Sequence, residues 1–210
     1  MHSLVDPSAR RFLARLPLAA GLALLVWFGG LASVWGRAAT AASEKAIRIL
    51  ERPPVTFLQW EDGNVLFRRS DFSSRSGTPG FEAGGVTGNL VLLLALAAAT
   101  PGAGSGRGLL RAALAGAALF ATHVVHVALT VQATYAVDLG AWSLYAYPRW
   151  QRELFATGRY FFDVALKYAL PFFLWGLLVV LPVLNERAER ETTEGEAAAA
   201  VPSPKRRRRR

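Results

Sequence analysis

His123 and His126 stand three residues apart inside a stretch, residues 112–137, that contains no charged side chain. Imidazoles at i and i+3 share a helix face, and from there they can give two ligands to a metal ion or relay protons within a bundle. Thr122, Thr130 and Thr134 fall on nearly the same face, so the candidate functional set is His123, His126, Thr122 and Thr130. A catalytic metal needs a third protein ligand. The sequence offers none: there is no His-Glu-x-x-His, no carboxylate within an apolar stretch, and no cysteine in the chain. Polar side chains on an apolar helix more commonly bond to neighbouring helices, so neither metal nor cofactor is expected. An intramembrane histidine still has a claim to function, because Leu or Val would fill a lipid-facing position at lower cost.

The other chemistry-bearing residues argue against an enzyme. No phosphate-cradling Walker loop, no nucleophile elbow around a serine and no pair of carboxylates in an apolar setting occurs. Lack of cysteine removes thiolate chemistry and disulfides together. Arg159, Asp163 and Lys167 recur at intervals of four, which reads as a solvated, self-neutralising helix face rather than a site. Phe57, Trp60 and Phe67 form a candidate interaction set, suited either to an exposed docking surface or to a patch resting on the membrane.

These residues need a membrane to hold them. Hydrophobic residues make up 52% of the 210 and lie in blocks, the pattern of an integral membrane protein. Residues 112–137, at ~1.5 Å of rise per residue, exceed a hydrocarbon core of ~30 Å and form the third and central span. The first span, residues 16–36, follows the basic cluster Arg10, Arg11 and Arg15 of residues 1–15. Its apolar run is longer than the ~7–15 residues of a signal h-region, so it reads as a retained anchor although Ala39-Thr40-Ala41 resembles a cleavage site. The second span, residues 84–100, is short for a crossing. The Gly-rich loop 101–111 joins it to the third, which makes the two antiparallel neighbours. The fourth, residues 164–185, continues a helix that starts near Pro148. Pro171 and Pro182 within it require neighbours that satisfy the freed carbonyls.

Residues 37–83 hold the material for a small outer structure. Ser43 to Leu50 predicts a short helix lying on the membrane surface, ended by Pro53-Pro54. Residues 55–69 predict a β-hairpin, because Asp62-Gly63 supplies the positive φ of a tight turn between two β-branched and aromatic runs. Two strands alone are marginal, so the hairpin aromatics are expected to find cover on lipid headgroups, on the Trp142 to Trp150 loop or on a partner. Asp71 to Gly85 reads as a flexible return. The outer loop and helix start, residues 138–163, carries Trp142, Tyr145, Tyr147 and Trp150, aromatics suited to headgroup level. Residues 186–210 read as a disordered cytoplasmic tail. Its terminal run, Lys205 to Arg210, supplies much of the formal charge of +9 and suits anionic lipid rather than nucleic acid.

The basic residues before the first span and in loop 101–111 place both termini in the cytoplasm. The fold class is therefore an all-α, multi-pass plasma (inner) membrane protein, with four transmembrane helices and a small extracytoplasmic β-hairpin. The layout, with a Gly-Asn-Leu-Val-Leu-Leu-Leu-Ala-Leu span at Gly88 to Leu96 and Arg-Glu-Leu-Phe-Ala-Thr-Gly-Arg-Tyr at Arg152 to Tyr160, resembles the exosortase H-associated membrane proteins. That resemblance implies a non-enzymatic accessory or assembly subunit of a cell-envelope sorting system. Its partners would be the lipid bilayer and a membrane-embedded sorting protease or transpeptidase. A transporter subunit and a histidine-dependent membrane metalloenzyme are the alternatives.

Overall fold

The computed structural model describes residues 7–71, 77–138, 147–185 and 192–193. Trp142, Tyr145, residues 72–76 of the return and nearly all of the expected tail lie outside them. The first helix does not stop where its apolar run does. Helix α1 (Pro7–Val26), a π-helical turn (Trp27–Leu31) and helix α2 (Ala32–Leu50) follow one another in one long element. Nothing in the Ala-rich stretch after Arg37 breaks a helix, so the surface helix expected at Ser43 to Leu50 is instead its far end. Within this element Gly30 has φ 131°, a conformation open to glycine alone without strain, and there the path kinks. The end is set at Glu51, whose backbone is extended, just before Pro53 and Pro54.

Strands β1 (Thr56–Glu61) and β2 (Asn64–Arg69) form the expected hairpin, with Leu58 opposite Phe67 and Trp60 opposite Val65. Its turn residues Asp62 and Gly63 have φ 46° and 85°. The return is not wholly irregular, however: β3 (Gly80–Glu82) pairs antiparallel with the free edge of β2 and makes a three-stranded sheet. A Cβ on Gly80 would fall 2.6 Å from the Leu66 side chain, so the small residue is what lets β3 close in.

Short helix α3 (Gly84–Thr87) leads into α4 (Asn89–Ala99). Helix α5 (Gly106–Ala133) is capped by Ser105, whose hydroxyl accepts from the Gly108 amide, and runs on through a π-helical turn (Thr134–Asp138). Helix α6 (Arg149–Phe161) starts after Pro148 and passes through a π-helical turn (Phe162–Leu166) into α7 (Lys167–Trp175). Three helices are long and apolar enough to cross a membrane, Ala9–Leu50, Gly106–Asp138 and Arg149–Asn185, and Gly84–Ala99 is a shorter apolar helix.

Helix α1 packs on α4, α4 on α7, and both α2 and α6 on α5, while β1 lies along α2. The buried side chains divide into two cores. A helix core gathers Trp27, Leu90, Leu93, Ala115, Leu119 and Leu174. A sheet core gathers Ile47, Val65, Phe67, Val86, Val127 and Tyr135. The first half of α5 exposes Leu109, Leu110 and Leu114, whereas its second half is largely buried. The same long helix therefore carries exposed apolar surface at one end and is packed under other elements at the other.

Candidate functional site

A layer of polar groups separates the two cores. Along the chain it falls between residues of the two cores at Trp35 on α2, Asn89 at the start of α4 and His123 on α5, and it takes in Lys167 at the start of α7, just before the helix-core residues Leu170 and Leu174. The indole N–H of Trp35 donates to His123 Nδ1 at 2.9 Å, so that nitrogen carries the lone pair. The proton then sits on Nε2, which lies 2.7 Å from Asn89 Oδ1 and donates to it. Asn89 Nδ2 in turn donates to the Lys167 carbonyl at 2.9 Å. That carbonyl is the one left without its helical partner by Pro171, four residues on, because proline has no N–H. One chain of hydrogen bonds thus ties together all four helical segments and satisfies the proline defect that the sequence predicts.

His123 and His126 are each 2% exposed, as a bundle-facing pair should be. His126 takes a different partner: its Nε2 lies 2.9 Å from Asp163 Oδ1. Asp163 also faces Arg159 at 3.6 Å, and Arg159 reaches Asp138 at 3.1 Å. The face carrying Arg159 and Asp163 is therefore more than a self-neutralising solvated surface. The π-helical turn that holds Asp163 packs beside His126, with the Phe162 ring 5.1 Å from the imidazole. The threonines bond within their own helix: Thr122 to the Leu119 carbonyl, Thr130 to that of His126 and Thr134 to that of Thr130. Back-bonding of this kind commits the hydroxyl proton within the helix, so none of these three donates to another helix. Among the described residues no group of three or more His, Asp or Glu side chains is placed to hold a metal.

The hairpin aromatics do not form one exposed set. Phe67 is 1% exposed and packs edge-on against Tyr135 at 5.4 Å. Trp60 lies on α2 at Gly36, where a Cβ would collide with the indole. Phe57 points the other way and is 45% exposed, with the Arg48 guanidinium 4.9 Å above its ring. Cover for Trp60 and Phe67 comes from the chain's own helices, the source the sequence did not suggest. Of the loop aromatics, Tyr147 packs against the sheet core while Trp150 is exposed.

A second polar cluster stands at the end of β2. Arg69, 5% exposed, makes two parallel bonds of 2.9 Å to Asp71 and reaches the Tyr147 hydroxyl at 3.3 Å. The Tyr147 hydroxyl donates to Gln132 Oε1 at 3.1 Å. The guanidinium holds the Asp71 carboxyl below its usual range, and burial pushes the Tyr147 phenol up. Asn89 and Trp35 escape a sequence reading because each acts through a partner distant in the chain, as does the contact of Arg69 with Tyr147, which the sequence offers only as a headgroup-level aromatic; a local hint is Asn89, a lone amide opening an otherwise apolar helix. No family model, no curated protein and no solved structure matches the chain.

Proposed function

We propose that the chain is a four-span plasma-membrane protein with both termini cytoplasmic, acting as a non-enzymatic accessory or assembly subunit of a cell-envelope protein sorting or processing system. The observation that carries this reading is His123, both of whose ring nitrogens are spent on other helices. A metalloenzyme would have to break one of those bonds to free a ligand position. A transporter needs polar groups spaced along the bundle axis, whereas this chain of bonds crosses the bundle at one level. The class of partner, a membrane-embedded sorting protease or transpeptidase, is the one implied by the resemblance of layout.

In this reading the bilayer surrounds the helix core and its outer face lies near the polar layer. Arg10, Arg11, Arg15, Arg107 and Arg111 then gather at the cytoplasmic face, and the sheet core forms an extracytoplasmic cap. Phe57 is the one hairpin aromatic with exposed surface to offer a partner. Affinity capture of the full-length chain from native membranes tests the role. Phe57→Ala should leave thermal stability unchanged and lower recovery of a stoichiometric partner severalfold, as loss of an aromatic anchor does. Stoichiometric bound metal that disappears in His123→Gln would overturn the reading in favour of the metalloenzyme.

A further inference from the structure

A cavity of about 470 Å³ lies between the end of α2, the second half of α5 and the start of α6. It lies beyond the layer of Trp35, His123 and Asn89, and its volume falls within the ~300–1,000 Å³ of small-molecule sites. Ile47, Leu50, Val125, Ala128 and Leu129 make its walls aliphatic. Two of these, Leu50 and Val125, are also 85% and 48% exposed, so part of the opening is apolar surface. Val124 and Val125 are next along α5 after His123, which sets this end of the cavity beside the polar layer.

Arg69, Tyr147, Gln132 and Gln151 line the polar part together with Arg52 and with Glu51, whose carboxylate accepts from the Val55 and Thr56 amides and the Thr56 hydroxyl. The Arg69 charge is already matched by Asp71, and the Tyr147 hydroxyl and Gln132 Oε1 already bond to each other. What the site has left to give are the Gln132 Nε2 amide and the Gln151 carboxamide, neutral donors suited to a neutral acceptor oxygen, and the exposed Arg52 guanidinium at its mouth. We propose that this cavity binds one acyl chain of a lipid drawn up from the adjoining outer leaflet into the cap, with an ester carbonyl of that lipid accepting from Gln132 and Gln151. The lipid is read by its chain and ester and by the phosphate that zwitterionic and anionic headgroups share, which Arg52 stands at the mouth to meet, and not by net headgroup charge. This rests on the membrane placement given above and is independent of the accessory role.

Native mass spectrometry of the delipidated full-length chain in dodecyl maltoside tests it, with palmitoyl-oleoyl phosphatidylglycerol and the phosphatidylcholine of the same chains as probes. One lipid should survive activation that strips the rest, with the two headgroups retained to within about threefold, less than 1 kcal/mol. Ala128→Trp should lower occupancy on the order of tenfold by filling the cavity, and Gln132→Leu by a few-fold, the loss of about one hydrogen bond. Val125→Trp, at a half-exposed position that tolerates bulk, serves if Ala128→Trp fails to fold. Leu114→Trp, on the exposed first half of α5, should change nothing. Equal retention in a folded cavity variant would mean surface lipid only and overturn the proposal. So would a strong preference for phosphatidylglycerol, or displacement of the lipid by an equimolar leucine-rich peptide.

Discussion

Asn89 links α5 and α7 through a single side chain, since it accepts from His123 and donates to the carbonyl freed by Pro171. Removing it leaves a buried N–H and a buried carbonyl without partners, at a cost of about 1–3 kcal/mol for each unsatisfied group. Pro171→Ala would restore a helical N–H for the Lys167 carbonyl and so make half of Asn89 redundant. Asn89→Ala should therefore cost less in the Pro171→Ala background than in the parent, with a coupling of about 0.5–3 kcal/mol in thermal or denaturant unfolding in detergent. Strict additivity would show that the amide does not serve the proline defect. The histidines could be read from the sequence because they interrupt an uncharged run. Their partners could not, because hydrogen bonds between helices leave no periodic trace in either helix.

Among the elements, the sheet shows both what a pattern reveals and what it hides. Strand alternation already separates Phe57 from Trp60, three residues apart and hence on opposite faces, so their grouping as one surface was avoidable. What no local pattern could reveal is that α2 folds back along β1 and supplies the cover itself, with Gly36 beneath the Trp60 indole. Gly36→Val should therefore lower stability by about 1–3 kcal/mol through overpacking although valine suits an apolar helix, as measured by the unfolding midpoint. A neutral or stabilising result would mean that Trp60 is not seated there. The Arg69 to Asp71 pair adds a pH dependence. Because the folded carboxyl titrates below its ordinary value of 3.8, its contribution is fully present above that pH and is lost as pH falls below it. The unfolding midpoint should drop in acid more steeply for the parent than for Asp71→Asn, and parallel curves would remove the pair from the account.

At the scale of the whole molecule, the sequence and the structure divide the third helix differently. Uncharged residues 112–137 read as one span because hydropathy cannot tell a lipid-facing surface from one buried under protein. Burial can: Leu109, Leu110 and Leu114 are exposed, whereas His123, His126, Val127, Thr130, Val131 and Tyr135 are covered by other elements. Counted along the helices from the polar layer, Trp35 back to Arg15, His123 back to Gly106 and Lys167 on to Asn185 each span roughly 26–30 Å at ~1.5 Å per residue, close to one hydrocarbon thickness. In the proposed placement the bilayer ends near His123, and the rest of α5 belongs to the cap. The chain has no cysteine, so single cysteines can be placed without background. Arg48→Cys on α2 and Val137→Cys at the far end of α5 should react with a membrane-impermeant maleimide added outside intact cells. Leu22→Cys and Leu114→Cys, exposed on the helix core, should stay unreactive until detergent is added. Protection of Val137→Cys equal to that of Leu114→Cys would put all of residues 112–137 in lipid and remove the cap from the outer face.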